Sequence, residues 1–244
     1  MIYLYAITEE LDGCIEALRG IDHALLTYLS RDGLVAVVSS IEGETVSPTP
    51  RRLWQHEQVV EALMTKGAVL PARFSTVFES EDVVEEKMSA FCEEYQVALN
   101  RLRNCVELNL RVVRLMESSL GGDGQASDEA PELSETTLRG RTASVAQKAV
   151  QEQHRTRKFS DESLGKALHQ SLAECAVEHR LSLEDSRSML MKSAYLVRNT
   201  RLDEIKEKVR ELIEMHSNLH FLCTGPWPPY HFVEPITSAL PGSC

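Results

Sequence analysis

Hydrophobic and polar positions follow two periods along this chain, and the switches between them mark out its elements. Residues 2–7, Ile-Tyr-Leu-Tyr-Ala-Ile, are a continuous apolar run of strand length and read as a buried strand. Leu11 to Leu18 read as a short helix with Ile15 and Leu18 on one face. Leu25–Leu29 and Leu34–Val38 flank Arg31-Asp32-Gly33, and Asp-Gly between two apolar runs supplies the positive φ of a tight hairpin turn. Thr49-Pro50 opens a helix, with Thr49 as N-cap and Pro50 in the first turn, where no N–H is needed. Its apolar face steps by three and four through Leu53, His56, Val60, Leu63 and Met64, and Gly67 ends it. Val69 to Phe78 is then extended, and Pro71, with no N–H to donate, belongs at a sheet edge or bend. The order β-α-β-β-α-β is the ferredoxin-like arrangement.

A long helix follows from Ser80, with Val84, Met88, Phe91, Tyr95, Ala98, Leu99 and Leu102 on one stripe, and reads as a connector. Val106–Val112 alternates without a break, as an antiparallel strand with one wet face does. Gly121–Pro131 lacks any large apolar residue and reads as a mobile loop. Helices are expected over 134–157 and 161–180, and a strand over Met189–Val197. Thr200 and Asp203 resemble a capping box for a helix that turns Leu202, Ile205, Val209, Leu212 and Ile213 inward, with Glu204 and Lys208 one turn apart. A strand over 219–223 closes the second sheet. The expectation is an α+β protein of two domains, each a small antiparallel sheet covered by helices, ferredoxin-like or modified. The first spans 1–103 and ends in the connector helix. The second spans 104–224 with a variable loop at about 118–140, and a proline and aromatic C-terminal tail occupies 225–244.

Composition narrows the class. The 244 residues are 43% apolar and 26% charged, which is ordinary for a globular protein with a sizeable core. Carboxylates outnumber Lys and Arg by 37 to 26, a formal charge of −11, which argues against a nucleic-acid partner. Arg139–Lys158 is the best local basic stretch, and a solvated helix face accounts for it. The six cysteines are scattered with no C-x-x-C, pointing to free thiols in a reducing compartment. No apolar run is long enough for a signal peptide or a membrane span, so the protein is expected to be cytoplasmic.

Chemistry is sparse. His56-Glu57 suggests a metal-binding helix, but H-E-x-x-H would need a second histidine where Val60 stands. His169 and His179 lie ten apart among polar neighbours and read as solvated histidines on helices. Gly121-Gly122-Asp123-Gly124 has no lysine and follows no strand-to-helix turn, so it is not a phosphate loop. No catalytic residue, cofactor or metal site is assigned. Arg73, between Leu70 and Phe74 in extended chain, calls for a carboxylate and is the candidate for a structural ion pair.

The most distinctive stretch is Gly225-Pro226-Trp227-Pro228-Pro229-Tyr230-His231-Phe232. Three prolines in four positions forbid helix and hold Trp227, Tyr230 and Phe232 on a rigid segment. Two readings stand, a clasp over the chain's own core or a motif that docks on a partner, with these three aromatics as the candidate residues in either case. This segment followed by Val233 resembles the C-terminal signature of the gas vesicle protein F/L family. Met1-Ile2-Tyr3-Leu4-Tyr5-Ala6 resembles the family's opening strand, Val69-Leu70-Pro71-Ala72-Arg73-Phe74 its central block and Tyr195-Leu196-Val197 a later strand. Ser75-Thr76 departs from the Gly-Thr of the family pattern, which questions a tight glycine turn there, and the segment from about 118 to 140 is a second departure from the resemblance. The resemblance implies a non-enzymatic accessory protein that binds the small, hydrophobic major gas vesicle shell protein, alongside other gas vesicle accessory proteins. It further implies a minor vesicle component at the gas-facing surface that aids nucleation or prevents shell-protein aggregation. A different class, a small-molecule-binding regulatory module of tandem ferredoxin-like domains, rests on fold analogy. A dispersed-site enzyme is the third possibility.

Overall fold

The computed structural model describes residues 1–9, 18–115, 160–183 and 189–236. The helices expected at Leu11–Leu18 and 134–157, the loop at 118–140 and the basic stretch Arg139–Lys158 lie, wholly or nearly so, outside them.

The first sheet comprises β1 (Ile2–Glu9), β2 (Thr27–Arg31), β3 (Leu34–Ser40), β4 (Val69–Pro71) and β5 (Val77–Phe78). Its order is β2-β3-β1-β4, all antiparallel, with β5 pairing the start of β1 beyond β4. Asp32 and Gly33 both take positive φ, 52° and 77°, so the Asp-Gly turn forms as its residues dictate. β4 stands at the edge, where the missing donor of Pro71 costs no ladder bond. The stretch expected to run extended from Val69 to Phe78 instead breaks into two short strands around a turn at Arg73–Thr76, closed by a Thr76 N–H bond to the Arg73 carbonyl.

Thr49 caps α1 (Pro50–Met64), its hydroxyl oxygen accepting from the Arg52 N–H. The buried face is Gln55, His56, Val59, Val60 and Leu63, whereas Leu53 is 41% exposed, so the stripe is rotated from the one expected. Ser80 likewise caps α2 (Glu81–Ala90), but the single connector helix divides at Phe91, whose ψ of 23° leaves the helical range, and resumes as α3 (Cys92–Leu102). The bend lets α2 pack on β2, β3 and β5 while α3 turns onto β1 and β4.

The second sheet contains β6 (Cys105–Arg114), β7 (Glu178–Leu183), β8 (Met189–Arg198) and β9 (Leu219–Trp227), in the order β7-β8-β6-β9. Counted from its own first strand, each sheet therefore runs second-third-first-fourth, the ferredoxin-like order, with β5 added in the first. The second sheet is complete rather than reduced, because the helix expected over 161–180 ends at 173 (α4, described over 160–173) and Glu178–Leu183 is an edge strand. The polar alternation Glu-His-Arg-Leu-Ser-Leu suits an edge whose two faces are unequally covered.

α5 (Leu202–Met215) buries Ile205, Val209 and Leu212 on the second sheet, each contributing about 1.5–3 kcal/mol by burial. Ile213 is 45% exposed, contrary to its expected inward position. The expected capping box is absent: Arg201 is the N-cap, Thr200 lies within a 3-10 turn, and no side chain caps the helix. Glu204 pairs with Arg201 at 2.8 Å, while Lys208 reaches Glu174.

Among the described residues three apolar clusters form the core. One lies beneath α1 and one between the second sheet and α4 and α5. The third joins the two sheets, running from Leu4, Ala36 and Leu70 through Leu99 and Leu102 to Ala194, Leu196 and Phe232. Among the described residues no helix is long and apolar enough to cross a membrane.

Candidate functional site

The aromatic C-terminal segment is built out of β9, which does not stop at Cys223 but continues through Gly225-Pro226 to Trp227. Its pairing with β6 skips a residue between Asn109↔Thr224 and Glu107↔Trp227. Gly225 sits at this irregularity with φ 119°, and a Cβ there would come 2.6 Å from the Glu107 carbonyl oxygen, so only glycine lets the strands approach. Trp227 forms the last rung and is 36% exposed.

Beyond it, Tyr230–Phe232 form a 3-10 turn closed by Tyr230 N–H to Pro228 O and Phe232 N–H to Pro229 O. This turn delivers its three side chains to three different seats. Phe232 is buried in the cluster that joins the sheets, its carbonyl accepting from the Arg101 guanidinium at 2.6 Å and its ring lying 5.6 Å beneath Arg180. The His231 ring and backbone N–H both engage the carboxylate of Glu107. Tyr230 lies 6.4 Å from the His56 ring and turns its hydroxyl towards Glu57. Burial first, and Glu57 second, pushes the Tyr230 hydroxyl far above the usual phenol range, and burial raises the Glu57 carboxyl as well.

Beneath Tyr230 lies a closed polar chain. His56 Nε2 is 3.1 Å from the Ala72 carbonyl, which can only accept, so this nitrogen carries the proton. Nδ1 is then free to accept from the Tyr3 hydroxyl at 2.9 Å, and Tyr3 accepts in turn from the Ser75 N–H. His56 is thereby a structural histidine, and among the described residues no group of three or more His, Cys, Asp or Glu side chains is placed to hold a metal. Ser75 adopts φ 67°, the conformation glycine would take freely, and its hydroxyl oxygen accepts from the Val46 N–H. The turn questioned from the sequence therefore forms without glycine, held by Tyr3 on one side and Val46 on the other.

Arg73 projects from this turn. It is exposed, and among the described residues its side chain makes no ion pair with the expected carboxylate; its carbonyl accepts from Thr76. The Arg101 guanidinium, bridging Phe232 and Glu178, supplies instead the kind of tie expected of Arg73.

Two features escaped the sequence pattern. Glu107 was expected on a wet face and is 1% exposed, taken by His231 and Asn109. His169 and His179, expected to be solvated and both helical, sit on α4 and β7 with Nε2 and Nδ1 3.0 Å apart. His169 is 5% exposed and its Nδ1 meets the Tyr195 hydroxyl at 2.9 Å, to which Ser193 donates. Burial and then His179 pull the pKa of His169 down, and burial lifts that of Tyr195 to about 12. Docking of α4 against β7 and β8 makes the histidine contacts, and a residue 124 positions along the chain covers Glu107, so no local spacing announces either.

Comparison with known proteins agrees with this architecture. The profile of the family described as gas vesicle synthesis protein GvpL/GvpF matches residues 1–234. Gas vesicle protein F2 of Halobacterium salinarum is 23% identical over 237 residues, covering 96% of this chain and 92% of that protein. Gas vesicle protein F of a Streptomyces species is 28% identical over 211 residues, covering 83% and 85%. The crystal structure of GvpF from an Anabaena species superposes with a TM-score of 0.74 at 19% identity, over 96% of this chain and 95% of that one. GvpF from Microcystis aeruginosa gives 0.71 at 18%, over 96% and 98%. With a profile match spanning both sheets and the aromatic segment through Phe232, the chain belongs to the GvpL/GvpF family of gas vesicle proteins.

Proposed function

We propose that this protein is an assembly factor, not an enzyme, that binds the small hydrophobic major shell protein of the gas vesicle and keeps it from aggregating before it joins the shell. In this reading the protein is made in the cytoplasm, works beside other gas vesicle accessory proteins, and stays in the vesicle as a minor component on the gas-facing side. Family membership supports the vesicle role. The observation that supports the binding role is the edge strand β9: among the described residues its outer side pairs with nothing, and Leu222 and Trp227 on it are 48% and 36% exposed. An unpaired edge carrying apolar side chains can accept a strand of a sticky client, with backbone bonds supplying affinity and alternate side chains supplying selectivity. The acidic body, at −11, keeps the loaded complex soluble.

The test is co-purification of the protein with the shell protein, compared with a Leu222→Lys variant whose fold is checked by melting. Retention of shell protein by the wild type and its loss from the folded variant is the expected result. Equal retention by both overturns the β9 edge as the seat, and no retention by the wild type overturns direct binding.

A further inference from the structure

We propose that the open face of the second sheet is a cationic seat for an acidic segment of a partner protein, held chiefly by Arg111 and Arg180. The proposal rests on the reading that the protein works by holding a vesicle partner, and it names the chemistry of one contact.

Alternation divides the sheet into two faces. Leu108, Leu110 and Val112 of β6, with Met191, Tyr195 and Val197 of β8, point into the cluster under α4 and α5. Asn109 and Arg111, with Lys192 and Ala194, therefore point the other way. At one end this second face is covered: Leu196 and Ala194 pack with Phe232, and Glu107 is taken by His231. Where the C-terminal turn stops, the face opens into a basin of about 450 Å³ lined by Arg111, Arg180, Lys192, Asn109, Leu222 and His231.

Register places the charges. Arg111 stands directly opposite Lys192, and Arg180 stands opposite Ala194, whose small side chain leaves the floor between them open. Like charges facing each other across strands are destabilising unless something anionic sits between them. Lys192 has an interaction of its own, so the two arginines carry the site. Among the described residues Arg111 makes no side-chain hydrogen bond or ion pair, and Arg180 contacts only the Phe232 ring. The nearby carboxylate, Glu107, is already held by His231 and Asn109. Two exposed guanidinium groups with no carboxylate partner among the described residues are a local exception on a protein of net charge −11, and guanidinium pairs carboxylates with two parallel bonds.

The shape favours a peptide over a small anion. The basin crosses all four strands, three inter-strand steps or roughly 14 Å. It ends on Leu222, which is 48% exposed, so cation and apolar surface adjoin as an acidic amphipathic segment requires.

The experiment uses the full chain and a short fluorescent peptide alternating Glu and Leu, read by polarisation at low and raised salt. Arg111→Glu with Arg180→Glu is expected to weaken binding about tenfold or more, as reversal of interface charges does. Lys66→Glu with Arg19→Glu, an equal charge change among exposed residues near the first sheet, is expected to leave it unchanged. Melting curves establish that both variants fold, and Arg111→Ser with Arg180→Ser replaces the reversal if it does not. Unchanged binding by the folded reversal overturns the proposal. Displacement of the peptide by an equal concentration of inorganic phosphate overturns it in favour of a small-anion site, and tighter binding of a single-stranded oligonucleotide overturns it in favour of nucleic acid. A parallel pull-down of the shell protein separates the two readings. Retention by the reversal variant removes this face from shell-protein binding while leaving the assembly role standing. Peptide binding without shell-protein retention by the wild type does the opposite.

Discussion

His231 holds both oxygens of Glu107: its backbone N–H donates to Oε2 at 2.8 Å, and its ring Nδ1 lies 2.6 Å from Oε1. The carboxylate is 1% exposed while the imidazole is 57% exposed, so the strand supplies a buried anchor and the C-terminal segment closes over it. Removing the anchor leaves the His231 N–H and the Asn109 amide without their acceptor in a part-buried site. Glu107→Ala is therefore expected to cost about 1–3 kcal/mol. Glu107→Gln keeps one acceptor oxygen and should cost less. Urea unfolding reads both, and equal midpoints for wild type and Glu107→Ala would show that the clasp does not support the fold.

Gly225 tests the same junction from the other strand. With φ 119° and the Glu107 carbonyl 2.6 Å from where a Cβ would stand, Gly225→Ala strains the backbone and collides with a group that cannot swing away. A loss of about 1–3 kcal/mol is expected, the scale of a side chain forced into a disfavoured conformation. The melting temperature falls while helix content by circular dichroism is kept, because β9 opens from its end rather than the helices unwinding. An Ala variant as stable as the wild type would mean that the two strands can separate here without cost.

The legible parts of this fold are those governed by neighbours in sequence. Asp32-Gly33 and Thr49-Pro50 specify a turn and a cap through local geometry and form as expected, and a helix starts after Ser80 as expected. What was missed depends on partners far along the chain. Glu107 reads as solvated until a residue 124 positions later covers it. The first half of β7, residues 178–180, reads as helix because Glu, His and Arg suit either state, and its pairing with β8 decides the matter. Thr200-x-x-Asp203 has the letters of a capping box, yet the chain enters α5 through a 3-10 turn that moves the cap to Arg201. For the candidate site, the aromatic spacing marked the segment, but the seats of Tyr230 and Phe232 belong to α1, α3 and β8.

Ser75 offers a sharper discrimination than its modest setting suggests. Its positive φ costs about 1–2 kcal/mol for a residue with a Cβ, and the bond from Val46 N–H to its hydroxyl oxygen returns about 1 kcal/mol. Ser75→Gly removes both terms and should leave stability within about 0.5 kcal/mol. Ser75→Ala keeps the strain and loses the bond, and should cost about 1 kcal/mol or more. Chemical denaturation of the pair decides it: an Ala variant no worse than Gly would mean that the hydroxyl does not hold the turn.

Acidification should weaken the fold through His56. Burial pulls its pKa from 6.5 down to about 4, outweighing the Ala72 carbonyl bond that raises it. Between those values the unfolded chain binds a proton that the folded chain refuses, so unfolding takes up protons and stability rises with pH. The contribution is complete above pH 6.5 and is lost as pH falls towards 4, by roughly 3 kcal/mol at most. His169 acts in the same direction, since its pKa is also depressed by burial. Glu57 opposes both: its raised pKa lets the folded state hold a proton more tightly, which adds stability as pH falls. The clean observable is therefore a difference. His56→Gln should be less stable than wild type at neutral pH, because the Tyr3–His56–Ala72 chain is disturbed, yet lose less on going from pH 6.5 to 4. Parallel slopes for the two proteins in that window would remove His56 as the source of acid sensitivity.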